Sequence, residues 1–240
     1  SSSVRDMIGI SAKRIDYQQS AIIGNLLTEK PPSQVAFERF TKNGPLALLP
    51  LLDDRVGFIW INSNRETKRL LGLEMKVFSR ELQSVFGNRL GQFSRIGQLS
   101  DYSLSLTKSY SLISKRSALV GNAANGLHPV AAQGFNLGLR DVAALCDCIA
   151  DVLDRGEKDF GLPKMLNEYY SWRKHDQSKL LHLTDGIVNL FGHKSKSMRF
   201  FRSLGLIGFD RVPGIKKIFA LHLMGLKGRL PRLSRGIPLA

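Results

Sequence analysis

Residues 121 to 142 read GNAANGLHPVAAQGFNLGLRDV, a glycine-punctuated loop that passes abruptly into a helical pattern. The preceding SALVG, from Ser117, has the length and composition of a short buried strand. The following segment places apolar residues at Val142, Leu145, Cys146, Ile149, Val152 and Leu153, a helical spacing that ends near Gly156. Strand, tight loop and helix aim unpaired backbone N–H groups and the positive end of a helix dipole at one spot, which suits a phosphate or a polarised carbonyl oxygen. Gly121 and Gly126 permit turns that side chains would block, and Gly134 and Gly138 permit close approach of another body. The stretch is neither a G-x-G-x-x-G dinucleotide fingerprint nor a Walker loop ending in G-K-S/T. Close strand–helix packing without a ligand is the alternative reading of the same glycines.

The rest of the chain divides around this stretch. Upstream, Ala36 to Phe40, Leu46 to Leu51 and Val56 to Asn62 are predicted as neighbouring antiparallel strands, separated by turns at Asn43-Gly44-Pro45 and Asp53-Asp54. QQSAIIGNLLTEK (18 to 30) has a β-rich apolar centre, SDYSLSLTKSYSLIS (100 to 114) begins as an alternating strand, and Thr67 to Leu71 and Lys76 to Phe86 read as helices. Downstream of Pro163 helices dominate, and there is no internal repeat. With 240 residues, 43% of them hydrophobic, the chain suffices for one large domain or two modest ones. The opening SSSVRDMIGI lacks an initiator methionine and moves directly into a capped helix start, so it reads as the middle of a longer coding sequence.

The formal charge is +15, from 35 Lys and Arg against 20 Asp and Glu. From Ile187 onward there are eleven Lys and Arg and a single acid, Asp210, so the basicity belongs to the C-terminal segment. Its mixture of Phe, Leu and Ile with cations suits a peripheral membrane helix drawn to anionic lipid, or a docking surface for another protein. Charge alone also admits nucleic acid, but no recognition motif accompanies it, and the expectation is no nucleic-acid partner. Cys146 and Cys148 lie two apart on a helix and point away from each other, which disfavours a disulfide or a metal pair and fits a reducing compartment. His175 and His182 share a helix face without a carboxylate or cysteine to complete a metal site. No apolar run reaches the ~20 residues of a bilayer span, so the expected location is cytoplasmic and peripheral to a membrane.

ALVGNAANGLHPVAAQGFNLGLRDVAAL resembles the second flavin-binding motif of the p-hydroxybenzoate-hydroxylase-type flavoprotein monooxygenases. SSSVR is similar to the residues following that family's Asp-Gly motif, AFERFTKNGPLALLPL to a substrate-domain signature of the ubiquinone-biosynthesis hydroxylases (the UbiH/UbiI/VisC type), and EYYSWRKHDQSKLLHLTDGIVNLF to their C-terminal helix. Among the branches, the 2-polyprenyl-6-methoxyphenol hydroxylases are the most similar. The resemblance implies an α+β fold of α/β ancestry: an antiparallel substrate-domain sheet, a remnant of the FAD-binding domain, and C-terminal helices. Residues 1–8 would end the first flavin segment, 9–114 form the substrate domain, 115–156 the second flavin segment, and 157–240 a basic helical segment. The N-terminal βαβ unit that holds the ADP half of FAD in this family is missing, which implies a truncated piece, inactive and without FAD on its own.

The activity implied for the full-length protein is hydroxylation of a polyprenylated phenol, with NAD(P)H reducing FAD and O₂ supplying the oxygen atom. A fragment that binds lipid or a partner without catalysis is the rival reading. Gly121 and Asn122 would approach the ribityl chain and pyrophosphate, with Asn122 standing where most of the family has Asp. Pro129, Gln133, Gly134, Phe135 and Asn136 would line the isoalloxazine edge, and a helix starting near Asn136 would stabilise reduced flavin by ~1 kcal/mol. Arg5 would help hold the pyrophosphate or else be solvated. His128 reads as a structural histidine before Pro129 more than as a general base, and Arg140-Asp141 as a local hydrogen-bonded pair.

Overall fold

A computed structural model describes residues 2–127, 133–192, 195–226 and 228–239. The chain opens with α1 (Ser3–Met7), whose N-cap Ser2 accepts a hydrogen bond from the Arg5 N–H. It then forms β1 (Ala12–Thr28), β2 (Phe37–Phe40), β3 (Pro45–Pro50), β4 (Arg55–Ser63), α2 (Asn64–Leu71), α3 (Met75–Phe86), β5 (Phe93–Ser94) and β6 (Ser100–Ser109). The strands predicted at 36–40, 46–51, 56–62 and 100 onward are all present, and the apolar run at 18–30 is part of a seventeen-residue strand. Two compact units result, one spanning Asp16–Leu104 and the other combining Ser1–Ile15 with Ser105–Leu190 and Ser195–Ala240.

In the Asp16–Leu104 unit the order β2-β3-β4-β1 is antiparallel throughout. Register places Ile22 opposite Trp60, Leu26 opposite Val56, and Leu48 between Phe37 and Phe58, so one face of the sheet is apolar. Helices α2 and α3 cover that face through Leu70, Phe78, Leu82 and Phe86, with the Trp60 and Phe78 rings edge to face at 5.8 Å. Two turns close the sheet. Asp53 and Asp54 both adopt left-handed backbone in the β3–β4 turn, a conformation that aspartate tolerates. Gly44 sits at φ +148° where a Cβ would collide with the Ile61 carbonyl.

The other unit holds β7 (Ile113–Ser114), β8 (Ser117–Ala118), β9 (Asn125–Gly126), α4 (Gln133–Asp154), α5 (Pro163–Gly192), α6 (Lys196–Arg211) and α7 (Ile215–Leu223). The buried strand expected at SALVG is only two residues long, because Gly121 turns the chain at φ +58° into the 3-10 turn Gly121–Ala123. Helix α4 buries Leu137, Asp141, Ala144, Cys148 and Val152 at spacings of three and four, and α5 answers with Leu166, Tyr169, Arg173 and Gln177. Both cysteines are free, and burial of Cys148 pushes its thiol pKa up to about 12. Among the described residues no helix is long and apolar enough to cross a membrane, and no group of three or more His, Cys, Asp or Glu is placed to hold a metal.

Candidate functional site

The apolar stripe shared by α4 and α5 contains a charged centre. Asp141 is 0% exposed and Arg173 1%. Burying a carboxylate without partners would cost several kcal/mol, so its hydrogen bonds define what the site is built around. One carboxylate oxygen, Oδ1, accepts from Arg173 Nε at 2.7 Å and from Gln177 Nε2 at 3.0 Å. The other, Oδ2, accepts the Gly121 N–H at 3.0 Å. Gln177 Oε1 in turn accepts from Asn125 Nδ2 at 2.7 Å, and the Tyr169 hydroxyl donates to the Leu119 carbonyl at 2.8 Å. The loop that opens the glycine-rich stretch is thus fastened before, at and after Gly121.

Charges around this centre are compensated. Arg173 Nη1 also donates to Asp176 at 2.6 Å, and Arg140 reaches the same carboxylate at 3.2 Å. Burial pulls the Arg173 pKa down, but Asp141 and Asp176 more than offset this and hold it above its ordinary value. Arg140 is held below its ordinary value by burial, which its pairing with Asp176 only partly offsets. The local Arg140–Asp141 pair expected from the sequence does not form. Adjacent helical residues point about 100° apart, so each finds its partner on α5 instead.

Gly121 and Gly138 work as a pair. A Cβ built on Gly138 would lie 3.3 Å from the Gly121 Cα, so the body admitted by Gly138 is the loop itself. Gly126 carries no left-handed backbone and faces only Thr107, so no turn there requires glycine. Gly134 differs from both, because a Cβ at that position would meet no atom of the described residues within 4 Å. Helix α4 starts at Gln133, three residues before the expected Asn136, and its first turn carries no acid to occupy the free N–H groups. Around that turn Gln133 is buried, Phe135 is 76% exposed, and Asn136 is exposed, as is Asn122 on the 3-10 turn.

Arg5 comes to the same loop from α1. It is buried rather than solvated, donates through Nη1 to the Ala123 carbonyl at 3.4 Å and pairs with Asp6 at 3.2 Å. Its Nε has no hydrogen-bond partner among the described residues, which leaves a buried donor available for an anion beside the Gly121–Ala123 turn. His128 and Pro129 lie outside the described residues. Of the sequence-predicted site residues, the fold brings Arg5, Gly121, Asn122, Gln133, Gly134, Phe135 and Asn136 into the same compact unit. Arg173, Gln177 and Asn125 were not predicted as part of the site. Their signal was present as polar side chains, Arg173 and Gln177 four apart, on a helix face otherwise carrying Leu166 and Tyr169.

This geometry offers a backbone turn held by a buried carboxylate, a first helical turn whose Gly134 has no described atom within 4 Å of a Cβ, an amide side chain and a buried arginine donor. Comparisons with known proteins give the family and, separately, the fold. The family model described as squalene epoxidase matches residues 81–218. The ubiquinone hydroxylase UbiL of Rhodospirillum rubrum is 36% identical over 99% of this chain and 56% of its own length, so the chain spans about half of that relative. Among solved structures, p-nitrophenol 4-monooxygenase from Pseudomonas putida shares the fold at TM-score 0.70 and 16% identity, over 95% of this chain and 58% of its own. The flavin-dependent halogenase CmlS does so at TM-score 0.60 and 11% identity, over 82% of this chain and 37% of its own. With more than half of its residues matched by the family model, the chain belongs to the squalene epoxidase family, and its curated relatives include ubiquinone hydroxylases.

Proposed function

We propose that this chain carries the flavin-ring half of an FAD-dependent monooxygenase that hydroxylates the ring of a polyprenylated phenol, with NAD(P)H as reductant. The observation that carries the reading is the open N-terminal turn of α4 beside a loop fastened by Asp141 to the Gly121 N–H, with the unpartnered Arg5 donor on the loop's other side. The residues fit the cofactor. Arg5 would hold pyrophosphate oxygens, Asn122 would offer an amide oxygen to ribityl hydroxyls, and Gly134, Phe135 and Asn136 would present backbone N–H groups to the ring's carbonyl edge. The flavin, once reduced, supplies the oxygen-transfer chemistry. The chain's own contribution is orientation and a positive helix end where reduced flavin carries charge, worth ~1 kcal/mol. The test is to assemble this chain with the part of the Rhodospirillum rubrum hydroxylase that lies outside the matched region, add FAD, and remove the excess. A yellow complex is the expected result. A colourless one at saturating FAD would leave the binding-fragment reading in its place.

We also assign α6 and α7 to a membrane surface. Leu206, Ile207, Ile218 and Met224 are each half or more exposed, and the cations Arg211, Lys216 and Lys217 stand among them. Apolar side chains and cations together on exposed helices suit the interface of an anionic bilayer. Co-sedimentation with phosphatidylglycerol vesicles should fall strongly for Ile207→Asp and Met224→Asp. Unchanged pelleting would favour docking to another protein of the same biosynthesis.

A further inference from the structure

A cavity of about 1000 Å³ lies in the larger unit, at the top of the ~300–1,000 Å³ range of small-molecule sites. Its apolar wall comes from Trp172 and Leu180 of α5, Phe209 of α6, and Ile215, Ile218 and Phe219 of α7. Phe209 and Phe219 brace one another edge to face at 5.3 Å, so the wall is shaped by α6 and α7 together. Its polar lining is one-sided. Among the described residues Asp176 is the sole acid lining it, and its carboxylate is already engaged by Arg140 and Arg173. Lys179 has no ion pair among the described residues, and His175 and His182 are exposed on the same stretch of α5. Arg140 Nη2 is buried with no hydrogen-bond partner among the described residues. Gly228 lines the cavity without a side chain, at φ +97°.

We propose that this cavity binds a lipid with one apolar chain and an anionic head, the chain against Phe209, Ile215 and Phe219 and the head beside Lys179 and Arg140. A neutral head would leave Lys179 and the buried Arg140 Nη2 donor without a partner among the described residues, and a cationic head would be repelled by Lys179. The site uses no residue assigned to the flavin, so it stands independently of that reading.

The test is calorimetric titration of the 240-residue chain with dodecanoate, dodecanol and dodecyltrimethylammonium below their micelle-forming concentrations. Dodecanoate should bind with a stoichiometry of one and about tenfold or more tighter than dodecanol, the ratio set by one charge-assisted contact, while the cationic amphiphile should not bind. Lys179→Glu should abolish the preference for dodecanoate, and Lys179→Gln should reduce it. Ile215→Asp should weaken all binding. Both side chains are at least a third exposed, so the melting temperature should hold and reports that the fold is intact. Equal affinity for dodecanoate and dodecanol, unchanged dodecanoate binding by Lys179→Glu, or no binding of dodecanoate would each overturn the proposal.

Discussion

Replacing Arg173 by Met removes the cation while preserving most of the side-chain volume. Asp141 would keep the Gly121 N–H at 3.0 Å and Gln177 at 3.0 Å, but a carboxylate with no exposure would lose its counter-charge. Breaking a buried pair from one side costs ~3–5 kcal/mol, whereas an exposed pair such as Arg116–Asp159 is screened by solvent and contributes little. For a chain of this size ~1 kcal/mol moves the melting temperature by ~2–4 °C, so Arg173→Met should melt roughly 6–20 °C lower. Asp141→Asn in the same chain keeps an acceptor for the Gly121 N–H and removes the stranded charge. The double variant should therefore recover part of the loss, a coupling on the order of 0.5–3 kcal/mol measured by urea titration of all four proteins. The Gly121 amide should also exchange faster in Arg173→Met than in the parent, since its acceptor is no longer held. An Arg173→Met cost below ~1 kcal/mol, with additive single variants, would refute the view that this pair organises the loop.

Three further outcomes follow from the same structure. Gly121→Ala places a Cβ on backbone at φ +58° and should cost ~1–2 kcal/mol, read as a lower urea midpoint with unchanged slope. Ser63 caps α2 by accepting the Glu66 N–H at 3.3 Å, so Ser63→Ala should cost ~1 kcal/mol while Ser63→Asp should be nearly neutral. The Cys148 thiol, pushed up to about 12 by burial, is protonated at every pH below that value, and only the thiolate reacts. Disulfide-exchange reagent at pH 8 should therefore leave Cys148 unmodified in the native chain and label it after denaturation, as peptide mass mapping would show.

Where one periodicity governed a segment, the sequence was legible. The alternation at Ile22, Leu26, Leu46, Leu48, Val56, Phe58 and Trp60 decided the sheet's buried face, and Asp53-Asp54 marked its hairpin. Gly121 was readable as a turn because only its backbone conformation mattered. Gly138 was readable as a point of close approach, but what approaches is a loop seventeen residues earlier, and no local pattern names that body. The same limit explains Arg140-Asp141. Neighbours in sequence suggested a pair, but helical geometry separated them and α5, more than thirty residues on, supplied both partners. Arg5 could be placed near the loop by resemblance, while its burial and its unpartnered Nε come only from tertiary packing.

The flavin ring is proposed to lie against the first turn of α4, and substitution of Gly134 probes that placement. A Cβ there meets no atom of the described residues within 4 Å, and a helix favours Leu over Gly by up to ~1 kcal/mol. Gly134→Leu should thus leave the melting temperature of this chain unchanged or slightly raised. In the complex assembled with the remainder of the Rhodospirillum rubrum hydroxylase, the same substitution should abolish retention of FAD, because the added side chain would stand where the proposal puts the ring's carbonyl edge. Retention of FAD by Gly134→Leu at the parent's affinity would contradict the account.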